Sequence, residues 1–161
     1  MQPSTKLEER DWNPGDTRPY RAFETATWIG SGASTWDRAS ADVLRWRVKT
    51  RSGFTVGADR EVEPGQRLTI RARVAFFTVD EPVEVVAVVR QRDLVGFSYR
   101  TLPGHPVRGE EAFIVYRDGE DVFLTIRSLT APASRGFWRL AYPLLRVAQL
   151  IARNRYRRAL R

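Results

Sequence analysis

At 161 residues the chain is long enough for one domain with a buried core, and an apolar content of 42% with five tryptophans excludes a disordered polymer. It contains no cysteine and a single histidine, which excludes disulfides, thiolate metal sites and a histidine-rich zinc site. The net charge of +8 lies entirely at one end: residues 1–121 hold 18 basic and 19 acidic side chains, whereas nine arginines and no acid follow Asp121.

Such a tail could bind nucleic acid or anionic lipid, or it could be the solvated end of a helix in a chain that uses arginine throughout. Only Lys6 and Lys49 are lysines, so arginine is the general basic residue here and not the mark of one site. The first residues are polar and lack the apolar stretch of a secretion signal, and the longest apolar run, Val85 to Val89, is too short to span a bilayer. The expected setting is cytoplasmic. Nucleotide, phosphate-loop and hydrolase fingerprints are absent, and no cofactor or metal is implied.

In chain order, residues 1–20 read as a loose lead-in punctuated by Pro3, Pro14, Gly15 and Pro19, and residues 21–161 as the single domain. Tyr20 to Ile29 is expected as a strand, broken by Gly30-Ser31-Gly32. A helix follows from about Ser34 to Leu44, with Ser34 as its N-cap. Arg45 to Thr50 reads as a short strand, then a loop through Gly53 and Gly57. Arg67 to Thr78 alternates charged and apolar residues, the pattern of a half-buried strand. Asp80 to Pro82 is expected to turn the chain, with strands at Val83 to Arg90 and Leu94 to Leu102. Ala112 to Arg117 and Val122 to Leu129 flank Asp118-Gly119, a strong hairpin signal.

Gly136 to Leu160 is helical, with Pro143 predicting a kink or a fresh helix start. Phe137, Leu140, Leu144, Val147, Ala148 and Ile151 form one apolar stripe, and Arg146, Gln149, Arg153 and Arg157 lie opposite. Past Ala152, Arg155 and Arg158 take the apolar positions, either beyond the edge of the core or facing carboxylates or an anionic ligand. One amphipathic helix against an antiparallel meander is an α+β architecture. A twisted sheet around such a helix commonly leaves a space where ligands bind.

The richest stretch is Gly96 to Phe113. It holds His105 between two prolines, then Glu110-Glu111. In a hairpin over Asp118-Gly119, Arg117 opposes Glu120, Glu111 opposes Ile126 and Glu110 opposes Arg127. Alternation then puts Glu111 on the apolar face with Phe113, Val115, Val122, Leu124 and Ile126, and makes Glu110 a cross-strand partner of Arg127. A longer loop would change the partners but not the faces. A carboxylate among apolar side chains must be paired, hydrogen-bonded or protonated, and Tyr99, His105, Arg108 and Arg155 are the candidate partners. Glu111 and His105 could be an acid/base pair at a cavity mouth. In the structural alternative, Glu111 caps a strand end and His105 is locked in its loop by backbone bonds.

This stretch resembles a domain-of-unknown-function family, DUF1990. The resemblance rests on Gly96-Phe97, Tyr99, Thr101-Leu102-Pro103-Gly104-His105-Pro106 and Gly109-Glu110-Glu111-Ala112-Phe113, with weaker similarity at Trp46-Arg47, Pro64-Gly65 and the arginine-rich C-terminal helix. It departs at Arg100, where a smaller residue is usual, and at Val107, where a polar or acidic one is. The resemblance implies a helix-grip fold (START- and Bet v 1-like): about seven antiparallel strands wrapped around the C-terminal helix over a cavity. It implies no defined activity.

The first expectation is therefore a small hydrophobic or amphipathic ligand between sheet and helix, with Tyr99, His105, Arg108, Glu111 and Phe113 as candidate contacts. The second is a cyclase- or isomerase-type enzyme using Glu111 and His105, ranked behind binding. The third is an anionic surface docked by the tail, with Arg155 and Arg158 as anion-binding candidates; a membrane is preferred to nucleic acid. Oligomeric state is left open.

Overall fold

Eleven elements are set out along the chain: β1 (Arg21–Ser31), α1 (Ala33–Val43), α2 (Arg47–Thr50), β2 (Phe54–Val56), β3 (Arg67–Val74), β4 (Phe77–Arg90), β5 (Leu94–Thr101), β6 (Val107–Asp118), β7 (Asp121–Pro132), α3 (Phe137–Leu140) and α4 (Tyr142–Tyr156). They belong to a computed structural model, described over residues 4–57, 60–74 and 76–161. The strands form one curled antiparallel sheet in the order β1-β7-β6-β5-β4-β3-β2, with the helices against one face, a helix-grip fold. No helix among the described residues is long and apolar enough to cross a membrane.

The inner face follows from strand alternation. Rows of side chains run across β5, β6 and β7: Val95, Val115 and Leu124 form one, and Phe97, Phe113 and Ile126 the next, all buried. Trp46, Val43 and Ala39 from the α1–α2 corner close over these rows, as do Tyr156, Ala159 and Leu160 from the C-terminus. The ring of Trp46 meets Phe97 edge-on with centroids 4.6 Å apart. The apolar face containing Glu111 is thus where alternation put it. The register differs: the two-residue turn is Gly119-Glu120, so Asp118 pairs with Asp121, and Glu111 lies opposite Ser128. The shift of two residues moves partners while leaving faces unchanged.

Glu110 and Arg127 do share the outer face, but they do not pair with each other. Arg127 lies opposite Glu24 of β1 and donates to it at 2.7 Å. Its other nitrogens reach the carbonyls of Thr5, Lys6, Glu9 and Arg10. Glu110, opposite Leu129, accepts from the Thr5 amide and hydroxyl. Residues 4–20 carry no helix or long strand, yet these two side chains tie their first part to the sheet. Leu7 sits there over Val89, Leu94, Ala112 and Ile114.

Three local expectations are corrected. Arg45 to Thr50 is not a strand: Trp46 takes a left-handed backbone (φ 60°) that reverses the chain out of α1 and starts α2. The loop through Gly53 contains the short edge strand β2. The chain reverses between Val74 and Phe77, not at Asp80 to Pro82, which lie within β4. Pro82 is tolerated because its carbonyl, and hence its missing donor, faces the end of β5, where it accepts from Leu102 at 2.9 Å.

Pro143 marks a fresh start, sitting in the first turn of α4. The stripe expected to enter the core does not: Leu144, Val147 and Ile151 are each more than half exposed, as are Phe137 and Leu140 of α3. Instead the helix is anchored at its C-terminal end by Tyr156 and the following Ala159 and Leu160. The rest of α4 stands off the sheet, and that gap is the cavity.

Candidate functional site

Between α4 and the sheet lies a cavity of about 350 Å³, within the usual range for small-molecule sites. Its polar end is the next row across the sheet, Tyr99 on β5, Glu111 on β6 and Ser128 on β7, directly after the apolar Phe97–Phe113–Ile126 row. Tyr99 donates its hydroxyl proton to Glu111 Oε2. The same oxygen faces Lys49 Nζ at 3.2 Å, and Lys49 donates to the Tyr156 hydroxyl at 2.6 Å. The Ser128 hydroxyl accepts from Arg153 of α4 at 2.7 Å, whose guanidinium also stacks on Phe23 at 3.9 Å.

Each group is placed by a local device. The left-handed Trp46 turns α2 so that Val48 and Lys49 point inward. The ammonium lies over the rings of Phe54, at 4.5 Å, and Tyr156, at 4.9 Å. Two glycines of the Gly96–Phe113 stretch permit close strand approach: a Cβ at Gly96 would sit 2.4 Å from the Phe113 carbonyl oxygen, and one at Gly109 only 1.7 Å from that of Leu129. Gly109 also has φ +148°, which side-chain-bearing residues rarely adopt. His105 is fixed in the β5–β6 loop. Its amide donates to the Leu102 carbonyl at 3.1 Å, and its Nδ1 accepts from the Val107 amide at 3.1 Å.

Burial by itself drives Lys49 toward neutrality, but the Glu111 carboxylate, helped by Tyr156, Tyr99 and Glu81, overrides it and holds the ammonium well above the usual lysine range. Lys49 is therefore a cation, not a free amine nucleophile. Burial pushes up the hydroxyl of Tyr99, reinforced by Glu111, and that of Tyr156, and it raises the carboxyl of Glu81. His105 is pushed down to about 3, first by burial and then by the Lys49 charge. It is neutral at pH 7, and because Nδ1 is an acceptor the proton sits on Nε2, 4.0 Å from Glu81.

The arrangement has spare hydrogen-bonding capacity on residues that line the cavity. Tyr156 accepts from Lys49, leaving its own O–H free to donate. Glu111 spends Oε2 on Tyr99 and Lys49, and has a second oxygen. A ligand oxygen at this end would meet a charged donor and a phenolic donor, with a carboxylate beside them. Among the described residues no three His, Cys, Asp or Glu side chains converge as a metal site.

Of the candidates read from the sequence, Tyr99 and Glu111 are joined directly, and His105 lines the same cavity beside Glu81. Arg155 lines it too, with Nη1 3.4 Å from the Ser52 carbonyl oxygen. Phe113 is wholly buried beneath the polar row, against Tyr156. Arg108 lies outside the cavity, donating to the Pro132 carbonyl and stacking on Tyr20. Arg158 is exposed and does not line the cavity.

Sequence reasoning missed Lys49, Glu81, Arg153 and Tyr156. For Lys49 one signal existed: it is one of only two lysines in an arginine-rich chain. Its ammonium is a compact point charge with rotatable donors, unlike the planar guanidinium fork of the arginines used elsewhere in the chain.

The family model for a domain of unknown function, DUF1990, matches residues 6–159. A UPF0548 protein of Deinococcus radiodurans is 42% identical over 82% of this chain and 72% of its own length. Among solved structures, an aromatase/cyclase of Streptomyces sp. R1128 superimposes with a TM-score of 0.62 at 15% identity, over 88% of this chain and 91% of that one. A hypothetical protein of Helicobacter pylori gives 0.61 at 12%, over 94% and 91%. At these identities the structural likeness shows the fold alone. The match across nearly the whole chain, with a curated relative well above a third identical, places this protein in the DUF1990 family.

Proposed function

We propose that this domain binds a small, largely apolar molecule in the cavity between the sheet and α4, with an oxygen function of that molecule held at the Lys49–Tyr156–Glu111 end. The observation that carries this reading is a buried ammonium beside an open cavity, with an unspent phenolic donor next to it. Apolar walls from Val79, Leu145, Ala148 and Ala152 suit a hydrocarbon or aromatic body. A carboxylate, phenolate or carbonyl oxygen suits the polar end, since each accepts from both donors. The test is ligand-observed NMR with a panel of aromatic and alicyclic acids, phenols and ketones, run on the native protein and on Lys49→Met. Binding by at least one class, weakened about tenfold or more in the variant, is expected for a lost charge-assisted bond. A panel that binds nowhere, or that ignores the variant, sinks the reading.

A second reading, proton transfer, is favoured by one feature: the Glu111 carboxylate adjoins two donors that could hold developing negative charge on a substrate oxygen. In this version Glu111 takes a proton from the carbon next to a carbonyl, while Lys49 and Tyr156 hold the enolate oxygen. His105, neutral at pH 7, would orient the substrate through Nε2 and not act as the acid. Exchange of deuterium from solvent into panel ketones, lost in Glu111→Gln, is the expected result; no exchange above buffer for any ketone removes this reading.

A further inference from the structure

The apolar stripe of the C-terminal segment faces outward, and it does so beside the cavity mouth. Leu140 of α3 and Leu144, Val147, Leu150 and Ile151 of α4 are each more than half exposed. Across the opening stands the β3–β4 tip, where Val74 is half exposed, Phe77 more so and Phe76 completely. Val74 on one side and Ile151 on the other both line the cavity, so these residues are its two lips. Exposed apolar side chains grouped on a folded domain are a feature of interaction surfaces.

The charge around it indicates what docks. Exposed Arg135, Arg139 and Arg146 accompany the helical lip, and no acid follows Asp121. On the tip, Arg73 is exposed, and the exposed acid Asp80 of β4 is held by Arg71 at 3.1 Å. Of the arginines further along the tail, Arg153 donates to Ser128 and Arg157 to Thr27, Arg155 lies near Ser52, and Arg158 and Arg161 are exposed. Apolar side chains rimmed by arginines match the interface of an anionic bilayer, where the former enter the acyl boundary and the latter meet the headgroups.

We propose that the α3–α4 face and the β3–β4 tip form a docking surface for anionic phospholipid membranes, placing the cavity mouth against the bilayer. This goes beyond the cavity reading and does not depend on it. Docking is measured with vesicles and an intact surface, whereas cavity binding is measured in solution, so either can fail alone.

The experiment is co-sedimentation of the full chain with vesicles of phosphatidylcholine alone and of phosphatidylcholine with phosphatidylglycerol, alongside light scattering of the protein without lipid. Leu144→Asp/Val147→Asp and Phe76→Ser/Phe77→Ser are the variants. All four side chains are exposed, so both proteins are expected to fold, which circular dichroism checks. The expected result is a monomer that binds the anionic vesicles preferentially, with partitioning reduced at least about tenfold in each variant. Binding to neither vesicle overturns the proposal. So does binding that falls with salt but ignores both variants, since arginines alone would then explain it. A dimer dispersed by Leu144→Asp/Val147→Asp also overturns it, because a second copy would then be the occupant.

Discussion

Replacing Lys49 with methionine keeps an unbranched apolar side chain of similar length and removes the charge together with its donors to Glu111 and Tyr156. The ammonium lies 3.2 Å from Glu111 and is almost completely buried. At an effective dielectric of about 20 the attraction at that distance is roughly 5 kcal/mol. Desolvation of both ions offsets much of it, so the pair adds little against an apolar substitute, but removing one member strands the other at a cost of about 3–5 kcal/mol. Lys49→Met should therefore lose about 3–5 kcal/mol in urea unfolding followed by tryptophan fluorescence. Glu111→Gln should also be destabilised, leaving Lys49 with Tyr156 alone while the new amide oxygen can still accept from Tyr99. The double variant leaves no lone buried charge. It should be destabilised by clearly less than the sum of the singles, with a coupling of about 1–3 kcal/mol. Additive losses, or a Lys49→Met protein within about 1 kcal/mol of the native one, would refute the claim that these charges form one buried unit.

His105 gives a pH test of its own. Its folded value, about 3, lies below the unfolded value of 6.5, so its contribution is complete above about 6.5 and is lost as the pH falls toward 3. Between pH 7 and pH 5 this should cost about 2 kcal/mol, a loss that His105→Asn should not show. As the only histidine, its imidazole signals can be followed by NMR without assignment; a midpoint near 6 in the folded protein would contradict the burial argument. Gly109→Ala should destabilise by about 1–3 kcal/mol from backbone strain alone, and more through the clash with Leu129. Calorimetry showing an unchanged melting temperature would mean that β6 and β7 can separate there without cost.

The sequence was most legible where period-2 alternation is uninterrupted. The placement of Glu111 among Phe113, Val115, Leu124 and Ile126 needed only parity, which survives a register shift of two residues. The register itself was not legible, because Asp118-Gly119 and Gly119-Glu120 both make acceptable turns and the choice rests on the neighbouring strands. Glu81 was hidden by Pro82, a residue that usually ends strands but here faces the end of β5. Lys49 was hidden by the left-handed Trp46: a bulky residue at φ 60° has no sequence signature, and without that turn Arg45 to Thr50 reads as extended chain. The outward rotation of α4 was not legible because its apolar stripe matches a core-facing helix. Its anchorage through Tyr156, Ala159 and Leu160 depends on where the sheet curls.

In the proposed complex a ligand oxygen sits at the buried ammonium end of the cavity. The most direct measurement is an electron-density map of the protein crystallised with the tightest binder from the acid, phenol and ketone panel. The compound is expected between α4 and the sheet, with an oxygen within hydrogen-bonding distance of Lys49 Nζ or the Tyr156 hydroxyl. Density for the compound elsewhere, or α4 packed down so that Leu144 and Ile151 fill the space, would contradict it.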